Sequence, residues 1–235
     1  MLFKKEPKVE DFTKKPVRID WVKVSKEIFE WVLCFFIAYV IYLFINYFIG
    51  TISGVRQVSM YPTAQEGERV FISRQLFSRK NYKAGDIITF VAPDDSGYYG
   101  IVGEGDDAKV DTDVVANYVK RKGISNFFFD FVGIGKITYI KRIIAVEGDH
   151  IVINEDGSVY VNDQKLDEPY LREQYTSRSG EYYDVVVPAG CVFAMGDNRE
   201  QSKDSRYFGC IPVSKIEGKV VCRVWPFSKW GSLDK

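Results

Sequence analysis

Residues 136–161 read KITYIKRIIAVEGDHIVINEDGSVYV, and this stretch decides the fold class. Lys136–Val146 is dense in β-branched and aromatic side chains, which suit a pleated, half-buried surface better than a helix. Glu147-Gly148-Asp149 then turns the chain into His150–Ile153, and Asn154–Gly157 is a hairpin turn before Ser158–Val161. The same pattern continues on both sides. Arg69–Ser73, Asp86–Val91 (entered through the Gly85-Asp86 turn), Tyr182–Val187, Cys191–Met195 and Lys219–Val224 are further short β-prone runs. Short strands at this spacing predict a mainly β, antiparallel, barrel-like domain.

Residues 93–135 break the rhythm. They are acidic at first (Asp94, Asp95, Glu104, Asp106, Asp107, Asp111, Asp113); Val114–Lys122 then reads as a short helix, and Phe127-Phe128-Phe129 with Phe131-Val132 forms an aromatic run. A structureless connection of this length is unusual, so a small inserted subdomain is predicted. Its aromatic run reads as core, with contact to a bilayer surface as the alternative.

Upstream, Trp31–Ile49 reads WVLCFFIAYVIYLFINYFI, with Asn46 as its one strongly polar residue. At about 1.5 Å per residue it covers about 28 Å, against a hydrocarbon core of about 30 Å. The segment is apolar all round, unlike a core helix with one polar face. It is also too long for the apolar part of a cleaved signal peptide, and no clear Ala-x-Ala site follows. A single retained transmembrane signal-anchor helix is therefore predicted, assigned to residues 27–50 between a tail at 1–26 and a domain at 51–235. Lys14, Lys15, Arg18, Lys23 and Lys26 precede the apolar run, whereas only Arg56 and Arg69 follow it within 50–69. The positive-inside rule puts the N-terminus in the cytoplasm and residues 51–235 outside.

Composition narrows the chemistry. The 235 residues suffice for one domain, or one with a subdomain, and the 32 basic residues balance 32 acidic ones, which argues against a nucleic-acid binder. Cys34 lies within the span; Cys191, Cys210 and Cys222 match no zinc spacing and read as small buried side chains. His150 is the only histidine, so a multi-histidine metal site is excluded and a Ser-His-Asp hydrolase would have to use it. At the start of a strand, a half-exposed structural role is its default reading. Nucleophilic chemistry must otherwise come from Ser, Lys and carboxylates.

Three places could supply it. Ser59 stands in Ser59-Met60-Tyr61-Pro62-Thr63, where Pro62 fixes its own φ and restricts Tyr61, stiffening the backbone that would aim the hydroxyl. Lys141 lies beside Arg142 in an apolar strand; successive side chains point to opposite faces, so one of the two must face inward. A buried lysine has a lowered pKa and can act as a base near neutrality. The third place is Met195–Gly209, reading MGDNREQSKDSRYFG, where Asp197, Asn198, Arg199, Ser202, Asp204, Ser205 and Arg206 follow the core-like strand Cys191–Ala194. Such a density of polar groups is costly to bury unless they satisfy one another. Gly196 and Gly209 flank it where the backbone must bend tightly.

Taken together, Ser59-Met60-x-Pro62-Thr63 just beyond a span, Gly-Asp-Ile-Ile-Thr-Phe at 85–90, Lys-Arg-Ile-Ile-Ala-Val-Glu-Gly-Asp at 141–149 and Gly-Asp-Asn-Arg-x-x-Ser-x-Asp-Ser-Arg at 196–206 resemble the bacterial type I signal peptidases, Ser/Lys proteases of the cytoplasmic membrane. The resemblance covers the span and most of 55–225, apart from 93–135. It implies a catalytic domain carrying a cap-like region at 150–190, Ser59 as nucleophile and Lys141 as general base. It implies that the Ser202 hydroxyl orients the Lys141 amine, with Gly196 packed beside it, and that Asp204, Arg206 and Arg142 form a charged network. The Ser59 N–H becomes half of an oxyanion hole, with the Gln57 amide a candidate for the other half, and Val55, Met60, Ile140 and Ala64 become substrate-pocket residues. The expected partners are signal peptides of exported preproteins, cut at Ala-x-Ala-like sites, and the lipid bilayer; no metal or organic cofactor is implied.

The chain departs from the family pattern in places. Gln57 replaces a frequent Gly or Ser, Ala64 a usual Leu, and Ala145 and Glu147 a more typical Gly and Pro; the segment 93–135 has no counterpart. These departures leave room for a specialised relative serving one pilin or surface-fibre subunit. A membrane-anchored scaffold with a decayed site is a rival from another class, disfavoured by the full set Ser59, Lys141, Ser202 and Asp204. The anchor also disfavours a self-processing Ser/Lys repressor protease.

Overall fold

The computed structural model describes residues 20–74, 81–93, 114–118, 137–178 and 180–233, and the chain falls into two compact units, Met1–Tyr42 and Leu43–Lys235. Helix α1 runs from Trp21 to Phe44, all but its last two residues belonging to the first unit. It opens earlier than the expected residue 27 because Asp20 caps it: Oδ1 accepts the N–H groups of Val22 at 3.1 Å and Lys23 at 3.3 Å. Lys23, Lys26, Glu27 and Glu30, polar for a membrane core, are good helix formers. No residue of α1 is buried, and among the described residues it is the one helix long and apolar enough to cross a membrane.

The expected span does not reach residue 50. Ile45–Ile49 forms a π-helical turn and Gly50–Gly54 is strand β1. Gly50 lies so close to β2 (Arg69–Ser73) that a Cβ there would meet the Ile72 carbonyl at 2.3 Å and the Phe71 ring at 2.8 Å.

The remaining strands are β3 (Ile87–Val91), β4 (Thr138–Val146), β5 (His150–Ile153), β6 (Val159–Val161), β7 (Gln164–Lys165), β8 (Asp184–Val186), β9 (Cys191–Met195), β10 (Ile211–Pro212) and β11 (Ile216–Trp225), with a short helix α2 (Ser205–Phe208) after β9. Among the described residues, all pairs of these strands are antiparallel. A seven-stranded sheet has the order β1-β2-β11-β3-β4-β9-β10, and a four-stranded sheet has the order β7-β6-β5-β8. The mainly antiparallel β architecture read from the spacing of short β-prone runs is thus the fold, with β1 and β10 at the two ends of the larger sheet. The smaller sheet comes from the stretch expected to be cap-like.

Three apolar clusters hold this unit together. Ile87 and Ile88, neighbours on β3, belong to different clusters, so both faces of the large sheet are covered there, as two adjacent apolar side chains on one strand require. The third cluster joins Ile144 and Ala145 of β4 and Phe193 and Met195 of β9 to Ile151, Ile153, Val159 and Val185 of the four-stranded sheet. Cys191 and Cys210 are buried in it, and all four cysteines are free.

The segment 93–135 lies outside the described residues except for 93 and 114–118. The short helix expected from Val114 does not form over that stretch: Val115 makes a parallel bridge to Cys210, as its β-branched pair with Val114 favours. The aromatic run at 127–132 lies outside the described residues. His150 is half-exposed at the start of β5, its Nε2 2.7 Å from Asp184 Oδ1.

Candidate active site

The nucleophile candidate sits on a 3-10 turn, Val58–Met60, reached from β1 through extended Gln57 (φ −131°, ψ 155°). Tyr61, ahead of Pro62, is also extended (φ −66°, ψ 137°), the conformation that a following proline imposes. Ser59 is thereby pinned between two extended residues. Its carbonyl accepts the N–H of Asn198 at 3.0 Å, and the Asn198 side chain donates to the Val58 carbonyl at 3.1 Å. The turn is tied to the loop after β9 through both main chain and side chain.

Lys141 reaches this turn from β4. Its Nζ donates to Ser59 Oγ at 2.7 Å, and both residues are buried, Lys141 being 1% exposed and Ser59 3%. Burial is the main reason its pKa falls from the ordinary 10.5 to about 8; Asp204 and Asp197 pull it back up, and Arg206 pushes it down. Arg142 is buried as well. Alternation does send the two side chains to opposite faces, but both faces are covered: Ile88, opposite Lys141, and Ile87, opposite Arg142, lie in different core clusters.

Arg142 has a different partner from the one expected. Its Nε and Nη2 grip both oxygens of Asp197, at 2.9 and 2.8 Å, Nη1 donates to the Gly85 carbonyl at 3.1 Å, and its guanidinium stacks 4.0 Å from the Tyr170 ring. Thr63 Oγ1 donates to Asp197 Oδ2 at 2.5 Å. Asp197 therefore links the strand of Lys141 to the segment following Ser59.

Asp204 and Arg206 form a second, separate pair. Asp204 is fully buried; its Oδ1 accepts Arg206 Nε at 2.9 Å and its Oδ2 accepts Arg206 Nη2 at 3.0 Å and the Gly196 N–H at 3.1 Å. Burial works against its charge, but the bonds and charge of Arg206, with Ser202 and Gly196, outweigh that and hold the carboxyl below the usual range. As N-cap of α2 it also accepts the Arg206 backbone N–H at 3.2 Å.

Ser202 and Gly196 come together as expected, yet the Ser202–Lys141 hydrogen bond does not form. Ser202 Oγ is buried beside Asp204 without a hydrogen bond of good geometry, while the Lys141 amine is engaged by Ser59. Gly196 is wedged between them: an added Cβ would lie 2.3 Å from Ser202 Oγ and 2.4 Å from the Ser59 carbonyl.

A cleft of about 380 Å³ opens beside Ser59, lined by Arg56, Gln57, Val58, Glu66, Tyr139, Gln201 and Lys203. Gln57 is thus at the site but exposed. Val55, Met60 and Ala64 are buried in one apolar cluster, with Ile140 packed against it; they back the Ser59 turn rather than line this cleft. Asp197, Thr63 and Tyr170 were given no role in the site by the sequence. Asp197 and Thr63 stand in the motifs at 196–206 and 59–63; Tyr170 carries no local signal. Among the described residues there is no group of three or more His, Cys, Asp or Glu arranged to hold a metal ion.

Comparison with known proteins completes the description. Residues 28–225 match the family described as "Signal peptidase, peptidase S26". Signal peptidase IB of Staphylococcus aureus (strain COL) is 31% identical over 222 aligned positions, which cover 88% of this chain and 94% of that protein. The chloroplastic thylakoidal processing peptidase 1 of Arabidopsis thaliana is 32% identical over 175 positions, covering 74% of this chain and 42% of that longer protein. A signal peptidase I of Enterococcus faecalis V583, known from its crystal structure, aligns with 60% of this chain and 97% of its own at 24% identity and a TM-score of 0.38.

Proposed function

The chain belongs to the signal peptidase family, peptidase S26, and from that premise we propose that it is a membrane-anchored serine endopeptidase cutting signal peptides from exported preproteins at Ala-x-Ala-like sites. The observation that carries this reading is the buried contact of 2.7 Å between Lys141 Nζ and Ser59 Oγ. A catalytically decayed scaffold would have no need to keep a lysine desolvated against a serine hydroxyl.

In the proposed reaction, neutral Lys141 takes the Ser59 proton and Ser59 Oγ attacks the scissile carbonyl. The oxyanion is held by the Ser59 N–H, with the Gln57 amide as the second donor. The tetrahedral adduct collapses as the Lys141 ammonium protonates the leaving amine, which departs and leaves an acyl-enzyme on Ser59. Water, deprotonated by the neutral Lys141 amine, then attacks the acyl carbonyl, and Lys141 returns the proton to Ser59 Oγ as the signal peptide leaves as its carboxylate. Ser202, Gly196, Asp204, Arg206 and Arg142 hold the two reacting side chains in register. Substrate lies extended between the Ser59 segment and β4, with Val55, Met60, Ile140 and Ala64 supporting the Ser59 turn from behind. Basic residues ahead of α1 place the N-terminus in the cytoplasm and the peptidase unit, 51–235, on the outer face; residues 150–190 act as its cap.

The test is cleavage of a preprotein by the full chain in detergent. Ser59→Ala is expected to abolish turnover, and Lys141→Ala to lower it by about 10²- to 10⁴-fold, with unchanged thermal unfolding cooperativity. Turnover retained in either variant would sink the assignment. Because the neutral amine is the active form, kcat/KM should climb about tenfold per pH unit below Lys141's pKa of about 8 and level off above it; a rate flat from pH 6 to 9 would exclude Lys141 as the base.

A further inference from the structure

Between β7 and β8, residues 166–178 and 180–183 form a strap with no long element of its own among these described residues, yet it places polar groups in dry surroundings. Glu168 is 6% exposed and Thr176 0%. Both meet Arg199, itself 4% exposed, which rises from the loop after β9. Arg199 Nη1 donates to Glu168 Oε2 at 3.0 Å and to Thr176 Oγ1, and Nη2 donates to Glu168 Oε1. Tyr170, whose ring supports Arg142, donates its hydroxyl to Glu168 Oε1 at 2.7 Å. Gln174 Nε2 bonds the Glu168 carbonyl at 3.1 Å, closing the strap on itself.

A buried ion pair of this kind is a poor source of stability, because desolvating both charges offsets most of their attraction, and apolar residues of similar volume often serve as well. Its use must be sought in geometry. A further donor of Arg199, Nε, bonds the Gly196 carbonyl at 3.1 Å, and the Arg199 carbonyl accepts Arg206 Nη2 at 2.6 Å. Gly196 is the residue wedged between the Ser59 carbonyl and Ser202. A second tie from the strap, the Ser177 carbonyl, accepts Arg206 Nη1 at 3.2 Å. The strap therefore grips the two arginines that define the loop's shape, and through Arg199 it fixes the peptide packed against the nucleophile.

We propose that Glu168 is a positioning residue for the reaction: by fixing the Arg199 fork it sets the Gly196 carbonyl and, through Gly196, the placing of Ser59 and Ser202. This rests on the reading of Ser59 and Lys141 given above. That reading is tested first by the wild type and by Ser59→Ala, so its failure would be seen independently of any Glu168 variant.

The experiment uses the full chain in detergent with a preprotein substrate, measuring kcat, KM and thermal unfolding together. Glu168→Gln keeps the shape and removes the charge; kcat is expected to fall about tenfold to a hundredfold with KM within about twofold, as for a small misplacement of reacting groups. In the double variant Glu168→Leu/Arg199→Met, both charges are gone, so stability is expected to return to near the wild-type value while kcat stays low because the bond to the Gly196 carbonyl is missing. Recovery of kcat along with stability would reduce the pair to a structural role and overturn the proposal, as would a Glu168→Gln enzyme with wild-type kcat. Should Glu168→Gln fail to fold, Tyr170→Phe keeps the ring over Arg142 and removes only the hydroxyl bond to Glu168. A kcat lowered about threefold or more at unchanged KM supports the proposal, and an unchanged kcat overturns it.

Discussion

Gly196 shows how little freedom a single residue has here. A methyl group at this position would come within 2.3 Å of Ser202 Oγ and 2.4 Å of the Ser59 carbonyl, and the second contact is backbone that cannot rotate away. Gly196→Ala should therefore push the nucleophile's own peptide, costing about 1–3 kcal/mol of stability and about a hundredfold in kcat. Urea unfolding and steady-state cleavage on one preparation would check this; a variant with wild-type kcat would show that the loop yields. Lys141 makes the opposite trade. With its folded pKa at about 8 against an ordinary 10.5, keeping it charged inside the protein costs roughly 3 kcal/mol. That cost applies in full below pH 8, where the folded protein must carry the charge, and fades by pH 10.5, where neither state does. Lys141→Met should thus be inactive yet more stable than wild type at pH 7, with the gain shrinking toward pH 10; equal stability at pH 7 would contradict it. Ser59, Lys141 and Asp204 were named because each stands in a motif of the signal-peptidase resemblance, whereas local composition alone suits a turn serine, an edge lysine and a polar loop. Glu168 was not, since Asp167-Glu168-Pro169-Tyr170 reads as an ordinary polar turn until the fold brings it to Arg199.

At the level of elements, β4 and β9 carry the site, and the loop after β9 is held to β4 mainly by Arg142 and Asp197. Asp197 takes both guanidinium donors of Arg142 and the Thr63 hydroxyl, so it ties strand, loop and nucleophile segment at once. Asp197→Asn would leave a buried arginine without its charge partner, and a loss of about 3–5 kcal/mol is expected by urea denaturation. Arg142→Lys should recover little, because an ammonium cannot serve two carboxylate oxygens, the Gly85 carbonyl and the Tyr170 ring together. A loss under about 1 kcal/mol in either would mean that the loop is held elsewhere. The strands themselves were read from β-branched and aromatic runs and turn residues, and β2, β3, β4, β5, β6, β8, β9 and β11 all form where those signals stood. β1 escaped because Gly50-Thr51-Ile52-Ser53-Gly54 has a glycine at each end and follows directly on the apolar run, so the span was drawn through its first residue. The Val114–Val115 pair was taken for helix because its strand partner, Cys210, is nearly a hundred positions away, and long-range pairing leaves no periodicity to read.

Across the whole chain, the question is what the proposed membrane tether adds to a peptidase unit that is compact by itself. Leu43–Lys235 contains both sheets, all three apolar clusters and every residue assigned to the reaction. Nothing in the chemistry proposed for Ser59 and Lys141 draws on α1. The helix should then act through concentration: a substrate whose own apolar segment sits in the same bilayer meets the enzyme at an effective concentration on the order of millimolar, whatever the bulk value. Two assays separate these contributions. The fragment Leu43–Lys235 and the full chain should cleave a short soluble Ala-x-Ala peptide with kcat/KM within about threefold of each other. On a preprotein reconstituted with enzyme in lipid vesicles at submicromolar bulk concentration, the full chain should be faster by about 10²-fold or more. The fragment must begin before Gly50, because β1 pairs along its whole length with β2, and a start at residue 55 should unfold that edge and lose both activities. If the longer fragment matched the full chain in vesicles, colocalisation would contribute nothing to turnover. If it failed on the soluble peptide, α1 would be needed to complete the catalytic unit, and the tether would have a structural role as well.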